Sequence, residues 1–411
     1  MNRRDFNKAV VATTAAAGAA SAFSPLNVLA QSQKLKVGVL LPRSGFQGLI
    51  GQSCQKGADL APGVIKQLLG VDIELMNADT ETNVDTARTR AERLIQEGAN
   101  VLVGPFDSGA ASAIAQVAEQ RGVPFVINIA AAPPITEQGY KFVFRNFPTA
   151  IDLTRNGLSL IGDLFRATNV APRTAVFMHV NDTFGQAMFR GISATLPHLT
   201  NLPFKIVDTI SYDPAAKDLT VEVSKAKAAN ADFLLLVCRL NDAIILRREM
   251  VKQRWFPMGV VSPGSPGMYE EQFSKALGPI ANYCISNAPW YNPKTHMTKV
   301  VKAAFEKQNP KEKFVFHGTN VVYTYESILI AADAFKRAKS TDPKALADAI
   351  RQTNIVDRTV LGGPLKFNAK GQVEGNLSAC TQNLNGEPRV ILPVEAAEAK
   401  AVFPAPDYKK A

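Results

Sequence analysis

Short apolar runs alternate with amphipathic stretches of helical length along most of the chain. The pattern predicts strands at residues 35–41, 71–77, 101–103 and 125–127, separated by helices at 54–68, 83–96 and 109–120. Turn residues such as Gly98 and Pro124 mark the junctions. Strands that alternate with helices are typical of βαβ units, whose strands form a parallel sheet. This part of the chain therefore predicts one open α/β lobe.

The same alternation begins again after residue 150. It predicts further strands and helices over residues 151–286, and hence a second α/β lobe of the same kind. Three helices follow at 298–307, 319–339 and 343–353 with no strands between them, and short strands are predicted at 365–367 and 377–382. Helices without strands of their own cannot build a third sheet, so we expect them to pack on one of the two lobes.

The first 30 residues have the features of a secretion signal. Arg3 and Arg4 precede Phe6, which is a twin-arginine pattern. Residues 9–22 are apolar but too few for a permanent membrane span. Residues 28–30 (VLA) place small or tolerated residues at the positions that a signal peptidase reads, which predicts cleavage after Ala30, export to the periplasm and a mature chain of residues 31–411. No cysteine lies near the cleavage point, so we expect no lipid anchor.

The positive charge of the chain raises the question of a nucleic-acid partner. The formal charge is +10, and it falls to about +8 when the predicted signal is removed, because the signal carries Arg3, Arg4 and Lys8 against Asp5. The remaining lysines are spread over the predicted helices, and no basic run contains interleaved aromatic residues. The sequence therefore predicts no nucleic-acid partner.

Four cysteines and four histidines limit the metal and disulfide chemistry. Cys54, Cys238, Cys284 and Cys380 lack CxxC spacing and permit three pairings, so buried free thiols and a disulfide both remain open. None of the histidines lies four residues from another. We therefore predict neither a metal site nor another cofactor.

Motifs of common enzyme classes are missing from the sequence. The loop after the first strand, residues 45–51, is not GxGxxG, no P-loop follows a strand, and no GxSxG occupies a strand-to-helix turn. Asp79, Asp107 and Asp182 follow predicted strands, where capping of a helix is their expected role. We therefore predict a protein that is not an enzyme.

Candidate ligand contacts lie beyond the carboxyl ends of the strands, where open α/β sheets bind their ligands. Three segments occupy such positions, residues 104–112, 128–132 and 179–184. Ser108 and Gly109 stand where a helix begins, and the free N–H groups of a helix start can hold an anion such as a carboxylate. The sequence predicts an anion site there, although Ser108 also suits a simple helix cap.

Several segments, in a consistent order, are similar to a known family. They are residues 36–45 (KVGVLLPRSG), 103–105 (VGP), 122–126 (GVPFV), 140–147, 182–185 (DTFG) and 362–367 (GGPLKF). Through them nearly the whole mature chain resembles the branched-chain amino-acid-binding family of periplasmic proteins, which has the type I solute-binding fold. The resemblance implies a monomeric binding subunit of an ABC importer whose partner is a permease in the inner membrane.

The fold implied by this resemblance has two doubly wound parallel-sheet lobes joined by three crossings of the chain. Residues 31–148 and 290–358 are expected to form lobe 1, and residues 149–289 and 359–411 to form lobe 2. The helices without strands then return to lobe 1 and the tail returns to lobe 2. A hinge motion is expected to close the lobes around the ligand.

The resemblance also implies particular ligand contacts. In the family a serine that matches Ser108 holds the ligand carboxylate, together with backbone and hydroxyl groups that match Ile129, Ala130 and Ala131. Ala131 stands where the family has a threonine, so only its backbone N–H is expected to serve. Phe184 matches an aromatic residue that covers the ligand from lobe 2.

The chain departs from the family where the ammonium group of an amino acid binds. Gly264 and Ala150 stand at acidic positions, and Cys238 or Arg239 stands at the position of a tyrosine. A desolvated ammonium group without a carboxylate is strongly unfavourable. Arg239 favours an acidic or phenolic group through a charge-assisted hydrogen bond.

We therefore predict a ligand that has a carboxylate and no α-amino group. Aromatic acids such as hydroxycinnamates and benzoates are the leading class, and Phe46, Phe106, Phe184 and Tyr291 are expected to supply ring contacts. Branched-chain or other amino acids, and small amides or urea-like solutes, remain alternative ligands. A periplasmic ligand sensor of the same fold is the alternative class of protein.

Overall fold

The computed structural model describes residues 34–200, 202–394 and 397–406. The predicted signal segment and its cleavage site lie outside the described residues. From Lys34 onward the chain forms one compact unit that contains two separate sheets. We call each sheet with its helices a lobe, so lobe 1 carries the first sheet and lobe 2 the second.

Lobe 1 is built on five parallel strands in the order β2-β1-β3-β4-β5. The strands are β1 (Leu35–Leu41), β2 (Ile73–Asp79), β3 (Val101–Val103), β4 (Phe125–Ile127) and β5 (Val143–Arg145), and the helices between them are α1 (Gly48–Leu69), α2 (Val84–Gln96) and α3 (Ser108–Arg121). β3 and β4 are buried along their whole length, as apolar strands covered on both faces of a parallel sheet must be.

Lobe 2 is built on seven strands in the order β12-β11-β10-β9-β8-β6-β7. Its strands are β6 (Thr174–Val180), β7 (Lys205–Tyr212), β8 (Phe233–Val237), β9 (Val260–Ser262), β10 (Ile285–Pro289), β11 (Ser378–Leu384) and β12 (Glu387–Leu392), and its helices are α4 (Ala150–Thr168), α5 (Thr183–Thr195), α6 (Thr220–Ala228), α7 (Leu240–Lys252) and α8 (Glu271–Leu277). The pairs β10–β11 and β11–β12 are antiparallel, and the others are parallel.

The three helices that follow lobe 2 pack on lobe 1. They are α9 (His296–Gln308), α10 (Phe314–Ala338) and α11 (Pro343–Arg351). α10 crosses α1 closely: a Cβ added to Gly57 would lie 2.3 Å from the carbonyl oxygen of Val321, so only glycine allows this approach. The long apolar α10 thereby completes the core of lobe 1.

None of the helices in the described part of the chain is both long enough and apolar enough to cross a membrane.

A buried ion pair ties together the segments that pass between the lobes. The Arg358 guanidinium donates from Nη2 to Glu326 Oε2 of α10 at 2.8 Å, and both side chains are almost fully buried. Glu326 also accepts hydrogen bonds from the Thr359 backbone N–H at 2.6 Å and from Asn146 Nδ2 at 3.4 Å. Asn146 precedes α4 and Thr359 precedes the tail, so one carboxylate anchors two of the connecting segments.

The tail contacts both lobes. The backbone N–H of Arg145 donates to Gly371 at 2.8 Å, and that of Val373 donates to Arg145 at 2.9 Å, so residues 371–373 lie against β5 of lobe 1. The tail then enters lobe 2 as β11 and β12. The strand predicted at 365–367 is present only as isolated bridges, in which Leu365 pairs with Ile355 and Phe367 pairs with Val373.

Candidate functional site

A narrow cleft lies between the two lobes, at the carboxyl ends of strands from both sheets. We define the cleft by the residues that line it. They are Phe106, Ile129, Ala131, Phe147, Phe184, Arg239, Gly264, Pro266, Tyr269, Ala288, Pro289, Thr319 and Asn320. This position is where open α/β sheets bind their ligands.

The walls of the cleft are mainly apolar and aromatic. Phe106 and Phe147 come from lobe 1 and from the segment that leaves it, and Phe184 and Tyr269 come from lobe 2. All four side chains are buried. Pockets for small organic molecules are commonly lined in this way, with a few polar groups that fix the orientation of the ligand.

The N-terminus of α3 is occupied by a side chain of the protein itself. Asp107 is the N-cap, and its carboxylate accepts a hydrogen bond from the Ala110 backbone N–H at 2.8 Å. Ser108 is the first residue of the helix, so it is not the cap. The anion position that the sequence predicts at Ser108 and Gly109 is therefore filled by the Asp107 carboxylate.

Ser108 holds the loop that follows β4. Its Oγ accepts hydrogen bonds from the backbone N–H groups of Ala131 and Ala132, each at 3.2 Å. Ile129 and Ala131 of this loop line the cleft. Ser108 is buried and is absent from the lining, so in this geometry it positions the loop.

Arg145 anchors the same loop from behind. This fully buried guanidinium donates to the carbonyl oxygens of Ala130 at 3.4 Å and Ala132 at 2.7 Å. It also donates from Nε to Gln372 Oε1 at 2.6 Å, and Gln372 Nε2 donates to the Phe147 carbonyl at 2.8 Å. Burial lowers the pKa of Arg145 to about 9. The loop and Phe147 are therefore held in one hydrogen-bonded frame with the tail.

Arg239 is the charged side chain in the lining of the cleft. It precedes α7, and its guanidinium donates from Nη2 to Asp182 Oδ2 at 2.5 Å. The guanidinium carbon lies 4.6 Å from the ring centre of Phe184 and 5.4 Å from that of Phe106. Cation–π contacts at such distances are attractive. Because Phe106 belongs to lobe 1 and Arg239 to lobe 2, the arginine connects the two walls.

The charge of Arg239 is supported by nearby acids. Burial opposes this charge, but the carboxylates of Asp182, Asp107 and Asp242 outweigh it and raise the pKa of the guanidinium. Burial raises the pKa of Asp107, whereas the Ala110 N–H and Arg239 act to lower it. Nε of Arg239 is buried and has no hydrogen-bond partner among residues 34–200, 202–394 and 397–406. A hydrogen-bond acceptor that reached Nε would satisfy this donor.

Gly264 lines the cleft in a conformation that suits glycine. Its φ is +139°, and an added Cβ would lie 3.1 Å from Leu153 Cβ and 3.3 Å from Met188 Cε. A side chain at this position would be strained by its backbone and crowded by its neighbours. An acidic side chain is therefore excluded from this point of the lining.

Three more of the predicted contacts lie outside the lining. Tyr291 follows β10 but stacks on Trp290 and lines a separate surface cavity with Arg389 and Glu398. Gly109 faces the start of lobe 2, where an added Cβ would lie 3.7 Å from Thr183 Oγ1. Phe46 is 40% exposed in the loop before α1, and its carbonyl accepts a hydrogen bond from Asn241 across the lobes.

Asn320 and Glu270 form a polar pair that the sequence did not reveal. Asn320 lies on α10 in lobe 1, and its Nδ2 donates to Glu270 Oε1 in lobe 2 at 2.9 Å. Burial raises the pKa of Glu270 to about 8, although the hydrogen bond from Asn320 acts to lower it. Glu270 is therefore mostly protonated at neutral pH. The sequence signal that could have indicated this pair is the polar stripe on the otherwise apolar α10, which includes Thr319, Asn320 and Thr324.

Metal binding has no support in the geometry. Within the part of the chain that the structure describes, no three His, Cys, Asp or Glu side chains are grouped so that they could hold a metal ion. All four cysteines are buried free thiols. Burial raises the pKa of Cys54 to about 12, so this thiol is uncharged at neutral pH.

The comparisons with known proteins agree with this architecture. Residues 34–384 match the family model described as periplasmic binding protein. The chain belongs to the periplasmic binding protein family. This match confirms the family predicted from the sequence, and it covers both sheets of the structure.

A curated relative and two solved structures show how far the likeness extends. The leucine-, isoleucine-, valine-, threonine- and alanine-binding protein of Pseudomonas aeruginosa is 22% identical over 362 residues, which are 87% of this chain and 92% of the relative. LivJ of Streptococcus pneumoniae, solved with isoleucine, has a TM-score of 0.73 at 19% identity and covers 90% of this chain and 100% of its own. A solute-binding protein of R. palustris, solved with benzoate, has a TM-score of 0.73 at 20% identity and covers 90% of this chain and 98% of its own.

These likenesses confirm the predicted fold of two parallel-sheet lobes and a protein that binds solutes and is not an enzyme. Curated relatives carry the names of leucine-, isoleucine- and valine-binding proteins, and the similar structures include ABC transporter substrate-binding proteins. Members of this family bind small organic ligands and work with ABC permeases.

Proposed function

We propose that this binding protein captures an aromatic carboxylate in the cleft between its lobes and delivers it to an ABC permease. A benzoate or a hydroxycinnamate is the ligand we favour. The observation that carries the proposal is the buried guanidinium of Arg239, whose Nε points to no partner among the described residues. A ligand carboxylate that accepts this hydrogen bond would satisfy the buried donor.

The aromatic walls support a flat ligand. Phe106, Phe147, Phe184 and Tyr269 line the cleft. Aromatic pairs in offset or edge-to-face geometry add stability beyond the area that they bury. The R. palustris protein with a similar fold was solved with benzoate, which is a ligand of this class.

The lining offers no carboxylate that suits an ammonium group. Gly264 has no side chain, and its φ of +139° disfavours any replacement. Asp182 is already paired with Arg239 at 2.5 Å. Glu270 has a pKa raised by burial to about 8, so it is mostly neutral at pH 7. The lining itself therefore contains no acidic side chain that could pair with the ammonium group of an α-amino acid, and burial of an unpaired ammonium is unfavourable.

Titration calorimetry with benzoate and 4-hydroxybenzoate tests the role of Arg239. We expect Arg239→Gln to lower the affinity at least tenfold, because the charge-assisted hydrogen bond to the carboxylate is lost. Arg248→Gln is the matched control, since Arg248 is an exposed arginine of the same helix. Equal affinity of Arg239→Gln and wild type would refute this placement of the carboxylate.

An amino acid is the second candidate ligand. The curated relative from Pseudomonas aeruginosa carries the name of a binding protein for five amino acids, and the resemblance extends over most of both chains. Under this alternative, ionised Glu270 would have to supply the counterion for the ammonium group. Loss of leucine binding in Glu270→Gln, with no binding of benzoate by wild type, would establish this second function.

The route to the periplasm is also part of the proposal. The paired arginines Arg3 and Arg4 support export by the twin-arginine pathway, and residues 28–30 support cleavage after Ala30. The mature protein is then a monomer with hinge crossings near residues 148, 290 and 359. N-terminal sequencing of the exported protein should return Gln31 as the first residue, and another start would move the cleavage site.

A further inference from the structure

A buried side-chain carbonyl in the cleft has no hydrogen-bond donor. Asn320 is 1% exposed and lines the cleft from α10. Its Nδ2 donates to Glu270 Oε1 at 2.9 Å and to Ser53 Oγ at 3.4 Å. Its Oδ1 is buried and finds no partner among the described residues. A buried acceptor without a donor destabilises the empty cleft and is relieved by a ligand that supplies one.

The orientation of this amide is set by a chain of polar groups that begins at the surface of lobe 1. His317 Nε2 lies 3.1 Å from Glu312 Oε2 and 3.9 Å from Glu271 Oε2. Nε2 makes no hydrogen bond of good geometry to either carboxylate, but their negative charge favours a hydrogen on Nε2 over a lone pair there. His317 Nδ1 is then an acceptor, and it lies 3.0 Å from Ser53 Oγ.

The hydroxyl of Ser53 determines which atom of the Asn320 amide faces it. Because Ser53 donates its hydrogen to His317 Nδ1, its oxygen is free to accept a hydrogen bond from Asn320 Nδ2. The amide nitrogen therefore faces Ser53 and Glu270, and the carbonyl oxygen is turned away from both. The polar chain thus presents an acceptor, rather than a donor, at this end of the cleft.

Two buried polar atoms without partners belong to residues that line the cleft from different lobes. Arg239 on lobe 2 presents the buried donor Nε, and Asn320 on lobe 1 presents the buried acceptor Oδ1. Aromatic side chains line the space with them, which suits a ring that carries an acceptor at one point and a donor at another. A ligand that pairs with both atoms would connect the lobes and favour their closure.

We propose that Asn320 is a specificity-determining residue that selects aromatic acids bearing a hydroxyl group, whose hydrogen is donated to Asn320 Oδ1. This inference rests on the proposed binding of an aromatic carboxylate and deepens it. A site that hydrogen-bonds a ligand hydroxyl discriminates strongly against the analogue that lacks it, because the polar group of the site is then left unpaired.

The test compares benzoate, 4-hydroxybenzoate, 3-hydroxybenzoate and 4-methoxybenzoate by titration calorimetry on the mature wild-type protein. We expect at least one hydroxybenzoate to bind at least tenfold more tightly than benzoate, which corresponds to about 1.4 kcal/mol. The methoxy compound can accept but not donate a hydrogen bond, so we expect it to bind no better than benzoate.

Variants separate the role of Asn320 from the effect of ring substitution alone. In Asn320→Leu we expect hydroxybenzoate and benzoate to bind within threefold of each other, because the acceptor is gone. Ser53→Ala should also reduce the preference, since it releases the amide orientation, and it serves if Asn320→Leu does not fold. Thr353→Val is the control: it removes a buried hydroxyl after α11, outside the cleft, and should leave the preference unchanged.

Each possible result bears on the proposal. Equal binding of benzoate and both hydroxybenzoates by wild type overturns the inference about Asn320 and leaves the proposed function intact. A preference that survives in Asn320→Leu also overturns it, as does tighter binding of 4-methoxybenzoate, which would show a donor at this position. Failure of every aromatic acid to bind overturns the proposed function and this inference together.

Discussion

Replacement of Glu270 by glutamine should change how the stability of the protein depends on pH. The Glu270 carboxyl is buried between the lobes, and burial raises its pKa from 4.5 to about 8. A carboxyl whose pKa is raised in the folded state favours folding at low pH, and this contribution is lost as the pH rises toward 8. The glutamine of the variant would keep a polar group of nearly the same shape that never ionises.

The size of the effect follows from the shift in pKa. Each pH unit between the unfolded and folded pKa values changes the free energy of unfolding by about 1.4 kcal/mol for one proton. The full interval sets an upper limit of roughly 4–5 kcal/mol at pH 8. Local opening of the lobes hydrates the carboxylate and relieves part of this cost, so we expect a gain of roughly 1–3 kcal/mol for Glu270→Gln at pH 8.

Urea unfolding at pH 5, 6, 7 and 8 measures this effect as the difference between variant and wild type. The difference should be small at pH 5 and grow in favour of the variant toward pH 8. Glu306→Gln is the control, because Glu306 is an exposed glutamate of α9 that lies 3.8 Å from Lys302. Parallel pH profiles for Glu270→Gln and wild type would refute the burial argument.

Two further predictions concern the lining and the core. Gly264→Ala should lower the free energy of unfolding by roughly 1–3 kcal/mol, because φ is +139° and the new Cβ would crowd Leu153. The control Gly63→Ala, at an exposed position of α1, should be neutral or slightly stabilising. Urea unfolding measures both effects. All four thiols are buried, and the pKa of Cys54 is raised to about 12. A thiol reagent at pH 8 should therefore react slowly with the folded protein, whereas it should label four thiols per chain in denaturant. Rapid labelling of the folded protein would contradict their burial.

The sequence predicted most of the strands because buried parallel strands leave continuous apolar runs. β1, β3 and β4 begin and end close to the predicted residues for this reason. β5 was missed because it is three residues long and ends at Arg145, a residue type that is usually exposed. Its burial depends on the carbonyl oxygens of Ala130 and Ala132, and those contacts exist only in the folded chain.

The sequence could predict only those residues of the candidate site that directly follow a strand. Phe106, Ile129 and Phe184 follow strands, so the topology places them at the cleft. Tyr291 also follows a strand, yet it packs against Trp290 outside the lining.

Other features of the site depend on contacts that are remote in sequence. Asn320 reaches the cleft through the packing of α10 on α1. The pairing of Arg239 with Asp182 joins residues 57 positions apart. The polar stripe on α10 marks Asn320 as unusual, but no local pattern of residues shows which partners Asn320 and Arg239 meet.

A ligand screen on the mature wild-type protein tests the central claim most directly. The protein is refolded to remove any carried-over ligand, and its thermal unfolding is followed with aromatic acids, aliphatic acids and amino acids in turn. Bound ligand stabilises the folded state by about 2.7 kcal/mol at a hundred times its dissociation constant. The account predicts that aromatic carboxylates raise the melting temperature and that leucine, isoleucine and valine do not. A shift with leucine, isoleucine or valine and none with aromatic acids would contradict it.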